Sequence, residues 1–145
     1  MSERRRRSDF AVALFVTIFW AAVVFAVDGI IAIVIDRDPI EADVGPYYAI
    51  VALLLAAVVT WLSVATVLAN DSPWLTAVAS TGLVYLVLVG TAAPLGLELV
   101  VEQAASPFVI AAALLSGLTV VFSWSLLRRW WPNRPSSTER GRPPG

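Results

Sequence analysis

The chain of 145 residues contains no cysteine, no histidine and no lysine, and only 14% of its residues are charged. Each absence excludes a class of chemistry. Without cysteine there is no disulfide, thiol redox couple or thiolate ligand; without histidine there is no imidazole to hold zinc or to serve as the base of a serine triad. No glycine-rich loop leads into a helix as a phosphate cradle, and no soluble domain offers nucleic acid a basic surface. We therefore expect no catalytic residue, cofactor or metal, and no enzymatic activity. Soluble domains carry about 25% charged residues. The low charge, the 59% hydrophobic content and a mean hydropathy of +0.80 point instead to lipid as the main solvent.

Four apolar stretches fill most of the chain: Phe10 to Ile35, Tyr47 to Ala69, Trp74 to Ala93 and Phe108 to Leu127. Each is near or above the roughly 20 residues that an α-helix needs to cross about 30 Å of hydrocarbon. The expected fold is an all-α integral membrane four-helix bundle over residues 10–127, flanked by a basic N-terminus (1–9) and a basic tail (128–145). The tail is rich in Pro, Ser, Arg and Gly, has nothing to bury and reads as disordered. The first stretch follows four arginines, Arg4 to Arg7, as a secretory signal would. It is far longer than the roughly 7 to 15 apolar residues of a cleaved signal and reads as a signal anchor.

Charge is sorted by sign. Glu3, Arg4 to Arg7 and Asp9 leave the N-terminal segment at net +2; Arg128, Arg129, Arg134, Glu139, Arg140 and Arg142 leave the tail at net +4. Asp36, Arg37, Asp38, Glu41 and Asp43 give the first connection net −3, and Glu98 with Glu102 gives the third net −2. Arginine near span ends marks the cytoplasmic side, so both termini are expected in the cytoplasm and the two acidic connections outside. Four crossings satisfy that parity.

The turn Asn70-Asp71-Ser72-Pro73 leaves little slack between the second and third spans, which must be antiparallel neighbours. Pro39 and Gly45-Pro46 break the chain between the first two, which are expected to be adjacent. The segment Pro94 to Pro107 mixes Leu95, Leu97, Leu99, Val100 and Val101 with Glu98 and Glu102 without a clean period. It reads as an interfacial turn of helix or as an outward extension of the third span. Trp74, Trp130, Trp131, Tyr47 and Tyr48 fall at span ends, in the headgroup zone. Trp20, Trp61 and Tyr85 lie mid-span and are expected to pack inside.

With arginine as the only basic residue and an Ala/Val/Leu-rich composition, the chain looks like the product of a high-GC genome. Its layout resembles the small four-span membrane proteins of unassigned function in actinobacteria. The resemblance covers the whole chain at the level of composition and layout, and implies a multi-pass protein of the bacterial plasma membrane without implying an activity.

Asp28 is the one ionisable residue embedded in a span, and intramembrane acids are functional candidates because a charge at mid-bilayer costs about 2.5 to 3.5 kcal/mol. It lies about 27 Å along the helix from Phe10, near the outer boundary, where Thr91, Tyr47 and Tyr48 are its expected partners. Small residues recur four apart at Ala22/Ala26, Ala52/Ala56/Thr60, Ala77/Thr81, Ala112/Ser116 and Ala113/Gly117, as ridges for close helix packing. The hydroxyls Ser63, Thr66, Ser80, Ser116, Thr119 and Ser123 are expected to bond back to helix carbonyls or across helices. The acidic loop Asp36, Asp38, Glu41 and Asp43 lacks the ordered calcium-loop pattern and reads as a solvated, topology-setting loop.

The sequence points to a non-enzymatic accessory or interaction component of the cell envelope, with the lipid bilayer and an unidentified membrane protein or a second copy as partners. The alternative is a small proton-coupled transporter or exporter using Asp28. The chain is similar to small multidrug-type exporters in span number and in carrying a first-span acid. It departs from them in having Asp for a mid-span Glu, in its greater length, and in lacking their third-span glycine pattern between Trp74 and Ala93.

Overall fold

The structure, a computed structural model, describes residues 2–36, 47–69 and 72–130. Their elements are helices α1 (Ser2–Ile35), α2 (Tyr47–Ala69) and α3 (Pro73–Gly90), a 3-10 turn (Ala93–Leu95), and helices α4 (Leu97–Ala105) and α5 (Pro107–Trp130). Four of these helices are long and apolar enough to cross a membrane, over Asp9–Ile35, Tyr47–Leu68, Pro73–Leu95 and Pro107–Leu126. Val, Ile and Phe favour helices only weakly in water. In hydrocarbon, every backbone N–H and C=O must be satisfied internally, and the helix does this within one segment.

The breaks have local causes. Asp36 closes α1 with φ 49°, a left-handed conformation that a short polar side chain tolerates. Pro73 opens α3 in its first turn, where a missing N–H costs nothing. Gly96 separates the 3-10 turn from α4 at φ 133°, open to glycine and strained for other residues. The arginine cluster is not detached from the first span: α1 runs unbroken from Ser2 and carries it on a helical extension. Residues 128–130, expected to begin the disordered tail, instead form the last turn of α5; the rest of that tail, the acidic loop from Arg37 onward and the Asn70-Asp71 turn lie outside the described residues.

Two buried clusters fix the helix directions. One joins Ala13 of α1 to Val64, Val67 and Leu68 of α2, Ala77 of α3 and Val120 of α5. The other joins Trp20 and Val24 to Ala56, Val84, Ala112 and Ala113. Residue numbers rise along α1 and α3 and fall along α2 and α5 between the same two layers, so neighbouring helices are antiparallel. Contacts run in the ring α1–α2–α3–α5–α1, with α2 also meeting α5 across the centre. The expected adjacency of the first two spans, and of the second and third, is found. Both the start of α1 and the end of α5 lie at one end, termed here the arginine end.

Between the two apolar layers each helix contributes one buried hydroxyl residue: Thr17, Thr60, Ser80 and Ser116. Thr17 and Thr60 donate to the carbonyls four residues earlier, Ala13 and Ala56, both at 2.9 Å. Ser116 donates to Ala113 O at 2.8 Å, and Ser80 donates across the bundle to Ser116 Oγ at 3.3 Å. Ser63, Thr66, Thr119 and Ser123 likewise bond back to carbonyls four residues earlier, as their spacing led us to expect.

The ridge Ala77/Thr81 of α3 packs into Ala113/Gly117 of α5, the largest helix–helix interface. A Cβ at Gly117 would meet the Thr81 hydroxyl and stand 3.1 Å from Ala77 O. At the far end α4 caps α3 and α5: Leu99 and Gln103 are buried one turn apart while Leu97 and Val101 are exposed. Tyr85 Oη donates to Ala104 O at 2.9 Å. The segment whose periodicity was unclear is thus a short two-sided helix.

Candidate functional site

The sequence candidates gather at the far end without forming one bonded cluster. Because Trp20 and Val24 pack with Ala56, the antiparallel pairing puts Asp28, one turn beyond Val24, level with Tyr48, two turns before Ala56. Asp28 Oδ1 and Tyr48 Oη are both buried, and neither has a hydrogen-bond partner among the described residues. Tyr47 is on the exposed side of α2. Thr91 at the end of α3 donates its hydroxyl to Leu88 O at 2.8 Å. The expectation that Thr91 or either tyrosine partners Asp28 is therefore not met. The physical reason is local: Thr91 has a helix carbonyl within reach three residues back, and Tyr47 faces away. Among the described residues, no three acidic side chains converge where they could hold a metal ion.

The mid-span aromatics do pack. Trp20 is 1% exposed and its Nε1 has no hydrogen-bond partner among the described residues. Trp61 Nε1 donates to Phe10 O at 3.3 Å, and the two rings stand 5.5 Å apart at 60°, tying α2 to α1 near the arginine end.

The lateral surface of α1 holds two features that sequence reading alone did not place. The first is the ridge Ala22, Ala26 and Gly29, spaced i, i+4 and i+7 on one face, all exposed; among the described residues nothing lies within 4 Å of where a Gly29 Cβ would be. Ala52, Ala56, Thr60, Ala77, Ala112, Ala113 and Ser116 are by contrast buried inside the bundle. The second is an apolar groove of about 1050 Å³ between α1 and α5, flanked by Phe15, Phe19, Leu118 and Phe122 and running from Val12 to Val23 and from Leu115 to Leu126. It lies along the looser of the two seams that α5 makes with α1 and α3. The small-residue spacing of the ridge is visible in the sequence, whereas its outward direction depends on which face of α1 the bundle consumes.

At the arginine end of α5, the Arg128 guanidinium lies 4.6 Å from the centre of the Trp124 ring, a cation–π contact one turn back on the same helix. Arg129 is exposed beside it. No family model, curated protein or solved structure matches this chain.

Proposed function

We propose that the chain is a non-enzymatic, multi-pass component of a bacterial cell envelope assembly, with both termini cytoplasmic, that docks a transmembrane helix of another protein on α1. The observation that carries this reading is the outward ridge Ala22/Ala26/Gly29. In lipid, hydrophobicity supplies no driving force between helices, so association depends on close backbone approach at small residues. The other small-residue ridges are spent on the bundle's own packing.

The test is a photo-crosslinking residue at Ala26, with Val78 on the exposed face of α3 as control, in membranes of the native host. A discrete adduct with a different protein from Ala26 and none from Val78 is expected. An adduct equal to two copies of the 15.6 kDa chain, or lipid adducts alone, overturns it.

One observation favours a second reading, a small proton-coupled transporter or exporter. Asp28 Oδ1 is buried, with no partner among the described residues, beside the level of Tyr48 Oη, and an intramembrane acid of this kind is a default candidate for proton or cation handling. Liposomes carrying the purified protein, tested for substrate-dependent dissipation of a proton gradient, separate the two readings.

A further inference from the structure

We propose that the groove between α1 and α5 holds one anionic phospholipid from the leaflet at the arginine end, with an acyl chain in the groove and its phosphate on Arg129. The argument begins with length. Val12 to Val23 and Leu115 to Leu126 each rise about 16 Å along a helix. That is roughly half of the 30 Å hydrocarbon thickness. A partner helix crossing the bilayer needs a track of full length; a lipid tail needs one leaflet.

The lining fits a hydrocarbon chain. Phe15, Phe19, Leu118 and Phe122 are exposed large apolar residues on its walls, and the Thr119 and Ser123 hydroxyls at its edge are already spent on Leu115 O and Thr119 O. No donor remains there to ask for a polar ligand inside the groove.

Charge selects the headgroup. The groove stripe on α5 passes through Leu115, Leu118, Phe122 and Leu126, and the next residue at helical spacing is Arg129, exposed at the mouth. On α1 the backbone stays helical to Ser2. Arg128 belongs to another face, stacked on Trp124. Asp9 lies near the mouth and is itself engaged in an interaction. An arginine at the membrane surface attracts anionic lipid, and its fork of donors matches a phosphate. The groove and the docking ridge share Ala22, and they separate beyond it, since Ala26 and Gly29 do not line the groove.

The full chain, reconstituted in vesicles of phosphatidylcholine with 10% phosphatidylglycerol (roughly the regime in which basic residues sense anionic lipid), is extracted gently and its retained lipid measured by native mass spectrometry. One phosphatidylglycerol per chain is expected in preference to phosphatidylcholine. Arg129→Gln should lower that preference about fivefold, Arg129→Lys should keep most of it, and Arg128→Gln should change it little. Leu118→Trp, which fills the groove, should remove the bound lipid while the helical content and unfolding temperature hold. Equal retention of both lipids, no retained lipid, or equal effects of Arg128→Gln and Arg129→Gln would each overturn the proposal. Loss of the Ala26 crosslink with lipid retention intact bears only on helix docking.

Discussion

Gly117 of α5 lies directly against Thr81 of α3, so close that a methyl group at Gly117 would meet the Thr81 hydroxyl and stand 3.1 Å from the Ala77 carbonyl. Glycine here sets how near the two helices come, and the largest interface in the bundle is built on that approach.

Gly117→Ala should therefore destabilise the protein even though alanine is the better helix former by about 1 kcal/mol. Overpacking costs about 1–3 kcal/mol, so the net loss should be about 1 kcal/mol, and larger for Gly117→Val. Thr81→Ala removes the hydroxyl and should recover much of it. Unfolding in mixed micelles, measured for both single variants and the pair, checks this through the coupling of a double-mutant cycle. Additive effects, with Gly117→Ala equally harmful in both backgrounds, would show that Thr81 is not what limits the approach.

The four apolar spans, the two short-range adjacencies and the small-residue ridges were legible in the sequence, because hydropathy and four-residue spacing act over neighbouring positions. What could not be read is which face of each helix the bundle uses. Ala52/Ala56 and Ala22/Ala26 look alike as strings, yet one pair is buried and the other exposed, a difference decided by where α1 meets α2 and α5. The same holds for the hydroxyl layer: Ser80 and Ser116 are each ordinary serines, and only the antiparallel register of α3 and α5 places them 3.3 Å apart. Asp28 was found by its chemistry, whereas its missing partner was not, because Thr91 closes its hydrogen bond within its own helix.

The proposed topology, argued from the arginine distribution, has a direct check in a chain without cysteine. Single cysteines at Ala42 and Ser137 should separate cleanly: an impermeant thiol reagent applied to intact cells should label the first and not the second. Labelling at Ser137 with protection at Ala42 would invert the orientation. Labelling at both would break the even parity that the four antiparallel helices require.

Asp28→Asn separates the two functional readings most sharply. Asn has nearly the same shape as Asp and removes a carboxylate whose Oδ1 is buried without a partner among the described residues. Burying a charge without compensation is costly, so the variant should fold as well as the parent or better, with an equal or higher Tm in detergent. If the chain acts by docking a partner helix on Ala22, Ala26 and Gly29, crosslinking from Ala26 and any growth phenotype should be unchanged, since the substitution leaves that ridge intact. A transporter would behave differently: the variant would remain folded, and substrate-dependent dissipation of a proton gradient in liposomes would disappear with the carboxylate. We expect the first result. A folded Asp28→Asn protein that loses proton movement while keeping the Ala26 crosslink would move the function from the outer face of α1 to the level of Asp28 and Tyr48.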